Sequence, residues 1–109
     1  MSPSTSLSYS AAVVLQAVAN EYRYGFDIMD MTGLPSGTVY PALRRMEEAG
    51  LVVSRWESEA AAQREGRPAR KYYEVTAEGR ELLAEALKRY RQMERLLPSG
   101  PRKAKPAPE

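Results

Sequence analysis

The chemistry this sequence offers most clearly lies in the segment SGTVYPALRRMEEAG, residues 36–50. Ser36, Thr38 and Tyr40 carry hydroxyls that can donate hydrogen bonds to phosphate oxygens. Arg44 and Arg45 carry guanidinium forks that fit a guanine edge or a phosphate. Pro41 offers a rigid apolar face suited to a thymine methyl group. On a helix, Arg44 lies one turn beyond Tyr40 and on the same side. Hydroxyls at a helix entrance with arginines one turn on suit the reading of duplex DNA. A blander reading competes: a capped core helix with Val39, Leu43 and Met46 as its apolar stripe, whose tyrosine merely packs. Pro41 can sit in such a helix if the cap is Gly37 or Thr38. It would then lie in or just past the first turn, where a missing N–H removes little.

A second cluster is basic. Arg64, Arg67, Arg70 and Lys71 surround Gly66 and Pro68, with Glu65 the one acid between Gln63 and Lys71. A flexible tip of this kind suits phosphate or minor-groove contact, which adds salt-dependent affinity with little sequence information. Most charge runs are ordinary solvated loops, and Glu57, Glu59 and Glu65 dilute this one. The net charge of +2 hides such local patches.

Other chemistries are excluded by what is missing. The 109 residues contain no cysteine and no histidine. Disulfides, Cys/His zinc sites, thiol nucleophiles and histidine acid–base catalysis are therefore ruled out. With no glycine-rich phosphate loop either, no enzyme is expected, and no cofactor or metal. No apolar run approaches the roughly 20 residues that a membrane span needs, so a cytoplasmic protein with no membrane partner is expected.

These residues need elements to hold them. Residues 1–7 read as a flexible arm. A first helix runs from about Ser8 to Asn20 on the spacing of Val14, Leu15 and Val18. A second runs from Gly25 to Thr32, burying Phe26, Ile28 and Met29 and leaving at Gly33. The third is the helix of the opening segment, ending at Gly50. Connectors this short force steep crossings, as in helix-turn-helix units. Val52–Glu57 and Lys71–Thr76 then read as two antiparallel strands joined by a long polar connector. A last helix spans 77–97, and 98–109 is a disordered, basic, proline-rich tail. The fold expected is mainly α with a small β-hairpin: a winged helix-turn-helix over 8–76 followed by a C-terminal dimerisation helix.

The stretches YGFDIMDMTGLPSGTVYPALRRMEEAGLV (Tyr24 to Val52) and GRPARKYYEVTAEGRELL (Gly66 to Leu83) resemble the PadR-like transcriptional regulators of bacteria. That resemblance implies a homodimeric winged-helix repressor, dimerised by its C-terminal helix, whose members often respond to a small molecule near the dimer interface. Phe26 stands where the family usually has tyrosine, filling the same core position. A single C-terminal helix is similar to the shorter subclass.

The last helix presents Leu83, Leu87, Tyr90, Met93 and Leu97 in a near-heptad stripe, which suits dimerisation. A two-fold dimer would set two recognition helices roughly 34–36 Å apart on an inverted-repeat operator. Trp56 has two readings. One is a partly buried core residue; the other joins Trp56, Tyr90 and Met93 around a pocket for a small aromatic or hydrophobic effector. The functional alternative is a winged-helix protein–protein interaction module. It would show an exposed apolar patch on the face of Tyr40 and Arg44, and none is expected there.

Overall fold

The structure, a computed structural model, describes residues 7–91. Met93, Leu97 and the basic tail lie outside the described residues.

Helix α1 (Tyr9–Ala19) is capped by Ser8, whose hydroxyl accepts from the Ala11 N–H at 3.2 Å. Every residue from Ala11 to Val18 is buried, so α1 is the central helix and not an amphipathic surface one. Leu7 is buried with it, so the expected flexible arm cannot extend through residue 7.

Helix α2 (Gly25–Thr32) ends on Gly33, whose left-handed φ of 76° suits a residue without Cβ. Its inner face is Gly25 and Ile28, with Met29 packed against the core. Phe26 lies about 200° around the helix from Ile28. It cannot share that face, and it is 69% exposed. The expected burial of Phe26 is thus overturned by helical geometry.

Helix α3 (Ser36–Glu48) starts earlier than expected, with Pro35 as its N-cap. The Pro35 carbonyl accepts from the N–H groups of Thr38 and Val39 at 2.9 and 3.0 Å. Pro41 therefore stands inside the helix, past its first turn. It withholds the hydrogen bond due to the Gly37 carbonyl. Gly37 is exposed with open space around it, so water can take the place of the missing donor. Val39, Ala42, Leu43 and Met46 form the buried stripe.

Strands β1 (Val52–Trp56) and β2 (Lys71–Val75) pair antiparallel, from Val52 opposite Val75 to Trp56 opposite Lys71. A bridge between Tyr24 and Tyr72, and the Tyr73 N–H bonded to the Arg23 carbonyl at 2.8 Å, tie the entry to α2 onto this hairpin. The connector is not a plain loop. It contains α4 (Glu59–Glu65), capped by Ser58 and closed by Gly66 at φ 70°. Three consecutive alanines, good helix formers, account for it.

Helix α5 (Ala77–Arg89) is capped by the Thr76 hydroxyl, which accepts from the Gly79 N–H at 3.0 Å. A Cβ at Gly79 would collide with the Leu51 carbonyl, so the glycine lets α5 approach the turn before β1. The helix closes at Arg89 with Tyr90 as its C-cap, short of the expected end at Leu97. Short helices depend on tertiary packing, and among the described residues Tyr90 is the last that packs on the core. That core is centred on Val14, Leu15, Ile28, Val39, Leu43 and Val52.

Candidate nucleic-acid interface

The open end of α3 forms the centre of the candidate site. No side chain caps it, and the N–H groups of Ser36 and Gly37, ahead of those that bond to Pro35, have no partner within the helix. Ser36, Tyr40, Arg44 and Arg45 are exposed, while Thr38 and Pro41 are half-buried. Ser36, Tyr40 and Arg44 follow one another at four-residue spacing and so form one row. Neither Arg44 nor Arg45 makes an ion pair among the described residues, which leaves both guanidiniums for an outside partner. Tyr40 leans over the start of α2: a Cβ at Gly25 would collide with its ring and hydroxyl.

The wing differs from the expected free basic tip. Arg67, expected on phosphate, is occupied by Glu57 through two hydrogen bonds of 2.6 and 2.9 Å. Those bonds draw the Glu57 carboxyl down to about 2. The main-chain N–H of Arg70 adds to the effect, against partial desolvation. The same partner pushes the Arg67 guanidinium up. Arg67 is therefore a strut that closes the base of the wing connector. Glu57, read from sequence as a diluting charge, is its anchor. The signal for it was the strand register, which puts the ends of both strands side by side.

Arg70 stacks its guanidinium 4.0 Å over the Tyr24 ring. The Lys71 ammonium lies 5.8 Å from both the Trp56 and Tyr73 ring centres, and 3.9 Å from Glu47. Glu47 also accepts from the Ser54 hydroxyl at 2.6 Å, which links the end of α3 to β1. Arg64 is exposed in the last turn of α4. Arg55 is exposed on β1 but alternates away from Trp56, lying with Arg23, Tyr72 and Glu74 on the other side of the hairpin. Tyr73 is buried, and burial raises its hydroxyl pKa, with Glu47 and Tyr40 adding to the shift. Its neighbour Tyr72 packs edge-on against Tyr24.

Trp56 is 65% exposed, so its core reading fails. Alternation puts it on the face of Val52 and Ser54, but the strand has run past the helical core by then. With Phe26 and Tyr40 it lines a groove of about 640 Å³ between the start of α2, α3 and the wing. The expectation that this face lacks exposed apolar surface is thereby overturned. Tyr90 has other neighbours: its ring meets Tyr9 edge-on at 5.2 Å and its hydroxyl donates to the Leu7 carbonyl at 3.1 Å. Trp56 and Tyr90 are thus engaged in separate places within one chain.

Comparison with known proteins places this geometry in a family. The model of the transcriptional regulator PadR-like family matches residues 14–85. The chain belongs to that family. As a PadR-like protein it is a DNA-binding transcription regulator and not an enzyme. Among solved structures it is similar to a PadR family transcription regulator from hypervirulent Clostridium difficile R20291. The identity is 26%, with 83% of this chain and 95% of that one covered and a TM-score of 0.64. A PadR-like transcriptional regulator from Bacillus cereus is 23% identical over 83% of this chain and 91% of its own, with a TM-score of 0.56. BpsR of Bordetella bronchiseptica, whose DNA binding is regulated by 6-hydroxynicotinic acid, shares the fold. It is 20% identical over 97% of this chain and 74% of its own, with a TM-score of 0.63. No curated protein gave a match. Among the described residues no helix is long and apolar enough to cross a membrane.

Proposed function

We propose that this PadR-like regulator is a homodimeric repressor that occludes a promoter by binding an inverted-repeat operator. The α3 row of Ser36, Tyr40 and Arg44 reads the major groove, with Thr38 and Pro41 beside it and Arg45 on the neighbouring row. Arg64, Arg70 and Lys71 bring the wing to the adjacent backbone, and Arg67 holds the wing in shape. The observation that carries this reading is the exposed entrance of α3, without a side-chain cap, with two arginines about two turns on that make no ion pair among the described residues. Two copies would pair through α5 and the residues after it. Leu83 and Tyr90 are taken up by the chain's own packing, and Leu87 also packs partly on the core; its outer side, with Ala84, Lys88 and Arg91, is the open surface of α5.

Relief by a small aromatic or hydrophobic effector belongs to the same proposal, by analogy with BpsR and its 6-hydroxynicotinic acid. The separation of Trp56 from Tyr90 does not favour a pocket formed by both within one chain. Protein–protein docking is the second reading, favoured by the exposed Phe26 and Trp56. Fluorescence anisotropy against duplex from upstream of the protein's own gene, beside a scrambled duplex and at several salt concentrations, separates the two. Tighter binding upstream, with two subunits per duplex, is expected. Failure to bind any duplex at low salt would transfer the surface to a protein partner.

A further inference from the structure

Large aromatic side chains left exposed on a charged, DNA-facing surface need an explanation, because burying them would ordinarily be favourable. Phe26 is 69% exposed and Trp56 65%, and both line the groove between α3 and the wing. The groove's wing side also carries Pro68, Arg70 and Lys71. Arg70 has no carboxylate partner within ion-pair distance among the described residues, and Lys71 has only Glu47 at 3.9 Å.

The geometry of duplex DNA says what must pass through such a groove. Major and minor grooves are separated by one sugar–phosphate strand. A protein with a helix in the major groove and a wing at the next minor groove therefore has that strand between them. A sugar–phosphate strand alternates an anion with a deoxyribose ring whose faces are largely C–H. Lysine and arginine suit the first, and flat aromatic rings suit the second.

We propose that the groove between α2, α3 and the wing seats one sugar–phosphate strand of duplex DNA. Trp56 and Phe26 pack on deoxyribose rings, and Lys71 and Arg70 meet the flanking phosphates. This rests on the DNA-binding reading above and adds to it a contact that is apolar, insensitive to sequence and insensitive to salt. Phe26 and Trp56 are thereby working residues of the interface, and the groove is filled by nucleic acid and not by protein.

The test uses the full chain and two duplexes, one from upstream of its gene and one scrambled, titrated at several salt concentrations. Trp56→Ala and Phe26→Ser should each weaken binding to both duplexes by roughly five- to tenfold, the loss of part of one aromatic's burial. The salt slope should not change, because no charge is removed. Lys71→Gln should instead reduce that slope by about 1. Trp56 emission should shift when either duplex is added to the wild-type protein. Both aromatic residues are exposed, so the variants should keep their fold, as far-UV circular dichroism would check. Unchanged affinity of both variants for a duplex that the wild type binds would overturn the seat and leave the DNA reading intact. A wild type that binds no duplex would remove both. Emission that responds to protein concentration, or to planar aromatic compounds, but not to duplex would give the groove to a second copy or a small ligand, and would overturn the proposal too.

Discussion

Arg44 and Glu57 are opposite cases of a charged side chain. Arg44 makes no ion pair among the described residues, whereas Glu57 is held by two bonds from Arg67 and one from the Arg70 main chain. If Arg44 reads a base, Arg44→Ala should cost about 1–3 kcal/mol of specific binding while leaving scrambled duplex less affected. Anisotropy on both duplexes measures this, and equal losses would make Arg44 a backbone clamp. For Glu57 the prediction concerns pH. Its carboxyl is lowered from the ordinary 4.5 to about 2 in the folded chain. Any stabilisation it provides is therefore complete above about pH 4.5 and is lost as the pH falls toward 2. Carbon-detected NMR of the Glu57 carboxyl should give a midpoint near 2, returning toward 4.5 in Arg67→Gln. A wild-type midpoint near 4.5 would mean that the strut does not form in solution.

At the scale of elements, the joints matter more than the helices they connect. Thr76 caps α5 through its hydroxyl oxygen and donates from the same hydroxyl to the Gly50 carbonyl at 2.7 Å. It thus ties the last helix to the turn after α3. Thr76→Ala should lower stability by about 1–2 kcal/mol, since a cap and a cross-link go together. The urea midpoint should fall with an unchanged slope. A loss confined to a few tenths would mean that Gly79 packing alone holds the joint. The connector between the strands shows what a polarity reading misses. Ser58, three alanines and Gly66 are helix start, body and stop, but sharing the segment with Glu59, Arg64 and Glu65 made it look like a loop.

At the scale of the whole molecule, the proposed homodimer requires a surface on which two copies meet. Within the described residues α5 packs on α1 and β2 and takes Leu83 into the core. Leu87 is only half-buried and is the central apolar residue of what is left. Leu87→Asp should convert dimers to monomers in analytical ultracentrifugation while circular dichroism stays that of a folded chain. A folded variant that remains dimeric would move the interface away from α5. Monomers should also bind the operator far more weakly, since each carries one recognition helix.

The sequence alone determined the order of the main elements, the buried stripe of α3, the antiparallel pairing of the two strands and the row of side chains on α3, but not the all-round burial of α1. These follow from periodicity and from local capping, which are properties of neighbours in the chain. Phe26 was misread as buried, although its offset from Ile28 already turned it outward. Other features were not legible. That Arg67 closes on Glu57, that Trp56 stands beyond the core's edge and that Tyr90 ends α5 against Tyr9 and Leu7 depend on residues far apart in sequence. Such pairings are decided by strand register and by where the packed core runs out. A charge or an aromatic ring looks the same in sequence whether the fold supplies it with a partner or leaves it facing outward.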